Sequence, residues 1–148
     1  TLSIVKNAPE APGVVQKVYY SENVYRDYRE IMQAGLECVG DLTDYDIAEA
    51  VEDAFRYDRL LLAASSYDGG VFTPMESFLS RLKHKNFQNR KVAIVENGTW
   101  APTAAKTIKA TLSEMKNITL VEPVVTIRSA YKPSDEAAFD ALAEALCK

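Results

Sequence analysis

Arg59-Leu60-Leu61-Leu62-Ala63-Ala64-Ser65-Ser66-Tyr67-Asp68-Gly69-Gly70-Val71-Phe72-Thr73-Pro74-Met75-Glu76 is the stretch on which the fold turns. The apolar run from Arg59 to Ser65 has the pattern of a strand buried on both faces. It ends at Asp68-Gly69-Gly70, residues that favour a turn. Thr73, Pro74 and Glu76 then read as a helix start: an N-cap, a proline in the first turn and the closing acid of a capping box. Phe78, Leu79 and Leu82 supply the apolar face of that helix. The same order recurs downstream. Lys91 to Val95 is a second buried strand, and Pro102 to Lys116 a helix with Ala105, Ile108, Leu112 and Met115 on one side. Ile118 to Ile127 is a third strand, where Pro123 marks a bulge or an edge. Ser134 caps a last helix, with Asp135 and Glu136 in its first turn and Phe139, Leu142 and Leu146 on its buried face.

Upstream, Leu36 to Leu42 reads as a strand, and Thr43 or Asp44 starts a helix with Ile47, Val51 and Phe55 at helical spacing. The first 35 residues admit two readings. One makes Leu2 to Val5 the first strand, Lys6 to Gly13 a loop and Val14 to Ala34 a long helix, with Val14, Val18, Tyr25, Tyr28 and Met32 on one face. The other makes Val14 to Tyr20 the strand and Arg26 to Ala34 a short helix. We favour the first, because Gln16 and Lys17 sit badly in a central strand; the β-branched, tyrosine-rich start of its helix argues the other way. Either way five strands alternate with helices, which implies a parallel sheet covered on both faces. No repeat, low-complexity stretch or linker divides residues 1–148, so a single domain is expected.

The 148 residues are enough to bury a core, and 47% hydrophobic with 26% charged residues is the balance of a globular chain. A net charge of -4 supplies no basic footprint for nucleic acid. No apolar stretch approaches the ~20 residues of a membrane span, and no charged-then-apolar leader is visible. Cys38 and Cys147 form no CxxC pair and read as unpaired thiols in a reducing compartment, with a disulfide as the lesser alternative, so a cytoplasmic setting is expected. The lone His84, set among lysines, reads as exposed. A histidine-based metal site and a Ser/His/Asp or Cys/His catalytic set are not expected.

The two turns that follow the buried strands, Ser65-Ser66-Tyr67-Asp68-Gly69-Gly70 and Glu96-Asn97-Gly98-Thr99-Trp100, each carry an aromatic residue and a glycine. In an open parallel sheet, ligands bind beyond the carboxyl ends of the strands. The turns therefore read as two walls of one crevice for a flat aromatic ligand.

Residues from about Leu36 to Lys148 resemble the flavodoxin-like domain of the A-type flavoproteins, the flavodiiron family. The resemblance rests on Ala64-Ser65-Ser66-Tyr67-Asp68-Gly69-Gly70-Val71-Phe72 before a Met-Glu helix. It rests equally on Asn89-Arg90-Lys91-Val92-Ala93 leading into Glu96-Asn97-Gly98-Thr99-Trp100, and on the late Tyr131-Lys132-Pro133. It implies a flavodoxin-like α/β three-layer sandwich: a five-stranded parallel sheet of order 2-1-3-4-5 with helices on both faces. It implies FMN at the carboxyl edge and electron carriage to or from a redox partner. That partner would be a separate protein or a diiron domain, on another chain or in the parent protein. The chain would act as an electron carrier, or as the flavin domain of a larger oxidoreductase, rather than as a stand-alone catalyst. The family holds the FMN phosphate in a first loop rich in Ser, Thr and Gly. Here the first loop, Lys6 to Gly13, carries two prolines and Glu10, and the rival loop, Ser21 to Arg26, lacks glycine.

With FMN bound, Tyr67 and Trp100 would wall the ring. Gly69 and Gly70 could turn a peptide carbonyl towards flavin N5. Asp68 and Glu96 would disfavour a negatively charged reduced ring, and Ser65, Ser66, Asn97, Gly98 and Thr99 would offer polar partners at its edge. Plainer roles stand beside these. Tyr67 and Trp100 could pack on the sheet edge, and Asp68-Gly69 could be an ordinary turn. Ser65 and Ser66 could satisfy strand ends, and Thr99 could cap the next helix. The alternative function is a flavodoxin-like module without FMN, acting in protein interaction or homo-oligomerisation through the tyrosines at positions 19, 20, 25, 28 and 45.

Overall fold

The computed structural model describes residues 16–26, 29–39, 42 and 46–148. The chain divides into two compact units, Thr1–Ala50 and Val51–Lys148.

In the first unit, β1 (Gln16–Arg26) and β2 (Arg29–Val39) form an antiparallel two-stranded sheet. The register runs unbroken from Gln16 opposite Val39 to Arg26 opposite Arg29. This replaces both the long helix expected from Val14 to Ala34 and the shorter one from Arg26 to Ala34. Val18, Tyr19, Tyr20, Val24 and Tyr25 are β-branched or aromatic, types that lose side-chain freedom in a helix and suit an extended chain. The strand expected over Leu36–Leu42 is present from Leu36 to Val39, but as the end of β2, paired antiparallel with β1. The strand expected at Leu2–Val5, the loop Lys6–Gly13 and the helix start at Thr43 or Asp44 lie outside the described residues. The helix that follows, α1 (Ile47–Arg56), is capped by Asp46, whose Oδ1 accepts a hydrogen bond from Ala48 N at 2.7 Å.

The second unit is built on a sheet. β3 (Arg59–Tyr67) returns on itself through the short antiparallel β4 (Gly70–Val71). On its other side β3 runs parallel to β5 (Arg90–Asn97). β5 in turn runs parallel to β6 (Ile118–Leu120) and β7 (Val125–Ile127). The third expected strand is thus broken in two, and the register against β5 advances by two residues across the break that contains Pro123. The order β3-β5-β6/β7 is the last three strands of the expected 2-1-3-4-5 arrangement.

β5 is buried on both faces from Val92 to Glu96, as its apolar run predicts. Ala93 and Val95 pack with Val121 and Val125 under Leu142 of α4 (Glu136–Cys147), and Phe139 and Leu146 flank that cluster. α3 (Ala104–Ser113) packs on β3, β4 and β5, and α2 (Thr73–His84) packs on α3. Leu79, Leu82, Ile108 and Leu112 are fully buried between them. Burying one such side chain contributes about 1.5–3 kcal/mol before entropy is counted. β3 departs from expectation: only Leu62 is buried along it, and Leu61 is 51% exposed. Among the described residues no helix packs against the face that bears Leu61 and Ala63, so β3 alternates instead of being buried on both sides.

The helix starts also differ from the sequence pattern. α2 begins after Phe72, whose carbonyl accepts from Met75 N and Glu76 N, so Thr73 does not cap and no capping box forms. α4 is preceded by a short 3-10 turn, Pro133–Asp135, in which Asp135 Oδ2 accepts from Lys132 N at 2.9 Å; Ser134 is not the cap. α3 covers less than the expected Pro102–Lys116. His84 is exposed, and Cys147 is a free, exposed thiol.

At the break between β6 and β7, Lys109 Nζ donates to Glu122 Oε1 at 2.7 Å and Val124 N donates to Oε2 at 3.0 Å. The lysine hydrogen bond is the chief reason the Glu122 carboxyl lies below its ordinary range, with the Val124 amide adding to it. A carboxyl lowered in the folded state adds stability above its unfolded pKa and loses it as pH falls through the folded value. Lys109→Met should therefore raise the Glu122 titration back towards the ordinary carboxyl range. Carboxyl carbon NMR checks this, and an unmoved midpoint would contradict it.

Candidate functional site

Because β3, β5 and β7 are parallel, their carboxyl ends open onto one edge of the sheet. Three loops leave from it. The first is a two-residue hairpin: Tyr67 pairs with Gly70, Ser66 pairs with Val71, and Asp68 and Gly69 have φ of 47° and 71°. Two consecutive left-handed residues define the type I′ turn, for which Asp-Gly is a preferred pair. Phe72 N then donates to Ser65 O at 3.0 Å.

The second loop follows β5 and is held at both ends. Gly98 N donates to Ile127 O at 3.0 Å, Asn97 Nδ2 donates to Ser129 O at 2.8 Å, and the Thr99 and Ser129 hydroxyls lie 2.8 Å apart. At its far end the loop enters α3, whose N-cap Thr103 makes no side-chain capping bond. The amides there bond elsewhere. Ser66 Oγ accepts from Thr103 N at 2.8 Å and from Ala104 N at 3.1 Å. Glu96 Oε2 accepts from Ala105 N at 2.8 Å, while Oε1 accepts from Thr126 Oγ1 at 2.9 Å. Thr103 Oγ1 donates to Gly70 O at 2.8 Å. A carboxylate at a helix N-terminus meets both unpaired amides and the positive end of the helix dipole. This accounts for Glu96 being only 7% exposed without a cationic partner in these bonds.

The sequence-derived site residues fall into two sets. Ser65, Tyr67, Asp68, Gly69 and Trp100 stand exposed at the edge, Tyr67 at 59% and Trp100 at 93%. Tyr67 meets Phe72 edge-on, with ring centroids 5.9 Å apart. Ser66, Gly70, Glu96, Asn97, Gly98 and Thr99 tie the loops to one another. Thr99 does not cap α3. Sequence reasoning left three residues out of the site. Ser129, at φ 69°, anchors the second loop to the third, and Thr103 anchors it to the first. Tyr131, half-exposed in the third loop, leans edge-on against Phe139 at 5.9 Å. The signal for Tyr131 was its place just after the third strand; the other two carried none. Among the described residues no cluster of His, Cys, Asp and Glu could hold a metal ion.

The two glycines of the frame differ. A Cβ at Gly98 would lie 2.8 Å from Pro102 Cα and 3.0 Å from Ser66 Oγ, so loop and clasp must part to admit it. A Cβ at Gly70 would meet nothing nearer than Tyr67 O at 3.6 Å. Gly98→Ala should lose about 1–3 kcal/mol in urea unfolding, and Gly70→Ala should stay within about 1 kcal/mol of wild type. Equal effects at the two positions would contradict the geometry.

No protein-family model matches the chain, and no curated protein matches it in sequence. Solved structures do match in fold. Rubredoxin:oxygen oxidoreductase of the anaerobe Desulfovibrio gigas superposes with a TM-score of 0.57 at 12% identity, over 68% of this chain and 31% of that one. A flavodoxin from the Archaea gives 0.56 at 19% identity over 70% and 73% of the two chains. Oxidised flavodoxin 1 from Bacillus cereus gives 0.56 at 16% over 70% and 80%. The chain thus spans less than a third of the length of the first of these and most of the other two. With its parallel strand order and its helices on both faces, this chain has a flavodoxin-like α/β fold.

Proposed function

We propose that the chain is an FMN-binding electron-transfer domain over residues 1–148, passing electrons to or from a redox partner. The partner is a separate protein or a diiron domain, on another chain or in the parent protein. The observation that carries this reading is the braced edge: three interlocked loops present Tyr67 and Trp100 to solvent. An indole 93% exposed on an anchored loop has its faces free for a flat ring. The donor set fits a flavin ring, with two aromatic faces, the Ser65 hydroxyl and the backbone of Asp68 and Gly69 around them. The likeness in fold to two flavodoxins supports the same reading.

When bound, FMN would supply the redox centre. The protein's own part is to hold the ring between Tyr67 and Trp100 and to shield its faces. Asp68, exposed beside the ring, would oppose added negative charge there. Glu96 would do so less than its sequence position suggests, because its carboxylate already faces the amide of Ala105. The N-terminus of α3 offers no amides to the phosphate, because Ser66 and Glu96 already fill it.

The module without FMN has one observation in its favour. Among the described residues β1 and β2 pair only with each other. A two-stranded sheet is marginal alone in water, and its open edges invite another strand.

A visible absorption spectrum decides between these readings. Protein mixed with excess FMN and freed of unbound ligand should stay yellow with shifted bands, and Trp100→Ala should weaken binding about tenfold, near 1.4 kcal/mol. Colourless protein running at twice its monomer mass would contradict the flavin reading and install the interaction module.

A further inference from the structure

Trp100 is 93% exposed, the most of the exposed large hydrophobic residues described, and so has almost no packing of its own. Its position therefore depends on the backbone on either side. One side is anchored at Asn97–Thr99 through Ser129 and Ile127. The other is anchored at residues 103–105, where Thr103 N, Ala104 N and Ala105 N all end on side chains from neighbouring strands. Pro102, next to this second anchor, has no amide to add. Trp100 and Ala101 bridge the two anchors and are both exposed.

We propose that Ser66 and Glu96 are positioning residues whose clasp on the first amides of α3 presets the 97–103 loop, and with it Trp100, to receive the flavin ring. The proposal rests on the flavin reading above and assigns Glu96 a different part from direct contact with the ring. Preorganisation is its physical content. A wall that must be ordered at the moment of binding subtracts that ordering from the affinity, and a wall already held does not. The clasp also explains why an acid stands at the end of β5. A helix N-terminus attracts anions, and Glu96 occupies this one from within. An outside phosphate is thereby kept from the ring side of the crevice.

The two residues make separable demands. Ser66→Ala leaves Thr103 N and Ala104 N without their acceptor. Glu96→Ala removes the acceptor of Ala105 N and the link to Thr126. Glu96→Gln keeps both, because its amide oxygen accepts from Ala105 N and its NH2 donates to Thr126 Oγ1.

The test uses riboflavin, which has the ring without the phosphate, titrated by flavin fluorescence at 25 °C. Hydrogen exchange over residues 97–105 is measured alongside it in ligand-free protein. Ser66→Ala and Glu96→Ala should weaken riboflavin at least tenfold while far-UV circular dichroism stays native, and exchange should quicken at Gly98 as well as at residues 103–105. Glu96→Gln should stay within twofold of wild type. Folded Ser66→Ala with unchanged riboflavin affinity would overturn the proposal, because a purely structural bond lowers the melting temperature without moving affinity. If Glu96→Ala does not fold, Ser66→Ala decides alone. Should wild-type protein bind no riboflavin, the flavin reading falls, and exchange still judges the clasp. Faster exchange at Gly98, whose amide is bonded to Ile127 O on the far side of Trp100, upholds it in Ser66→Ala; exchange changed only at residues 103–105 overturns it.

Discussion

α3 starts after Thr103, whose hydroxyl turns to Gly70 O instead of capping the helix, and the carboxyl edge of the sheet is organised around that deficit. Three amides need acceptors within one turn. Ser66 from β3 and Glu96 from β5 provide them, from 37 and nine residues away in the chain for the first and last of the three. A neutral hydrogen bond adds about 0.5–1.5 kcal/mol net and one to a charged group about 1.5–3, but a buried amide left without an acceptor loses its full desolvation cost. The constraint is therefore strict. It fixes where α3 sits on the sheet, how closely Gly98 approaches Pro102, and where the loop that carries Trp100 can run.

The sheet beneath this edge is uneven, and the unevenness bears on function. β5 is sealed by helices on both faces and forms the rigid axis. β7 lies beside it, under Leu142. β3 is covered on one face only among the described residues, which leaves Leu61 half-exposed. The loops that follow β5 and β7 are accordingly the better anchored, through Asn97, Thr99 and Ser129. The turn after β3 relies on its own type I′ geometry and on the bonds that Ser66 and Gly70 make to α3.

Much of this was legible in the sequence, and the physical reasons divide it. β5, the helix over Phe78–Leu82 and the face of Phe139, Leu142 and Leu146 follow from burial, which writes its period directly into the chain. Pro123 announced the break in the third strand because it cannot join a ladder. The favoured helix over residues 14–34 fails, because its apolar and tyrosine positions fit a helical face as well as a strand. The strands expected at Val14–Tyr20 in the other reading and at Leu36–Leu42 are present from Gln16 to Tyr20 and from Leu36 to Val39. At the site, the aromatic tips were legible from their place at the ends of apolar runs, beside glycines. The parts played by Ser66 and Glu96 were not. Their partners are backbone amides brought near only by the fold, and no local spacing encodes an acceptor that serves a helix elsewhere. Thr103 and Ser129 were missed for the same reason.

The central claim is that the carboxyl edge of β3, β5 and β7 is a flavin site. An amide NMR titration of the labelled protein with FMN tests it most directly. The account predicts that the largest shifts fall on residues 65–70, 97–103 and 128–132 and on the Trp100 indole N–H, with the α2 surface unmoved. Shifts absent at saturating FMN, or confined to other parts of the chain, would contradict it.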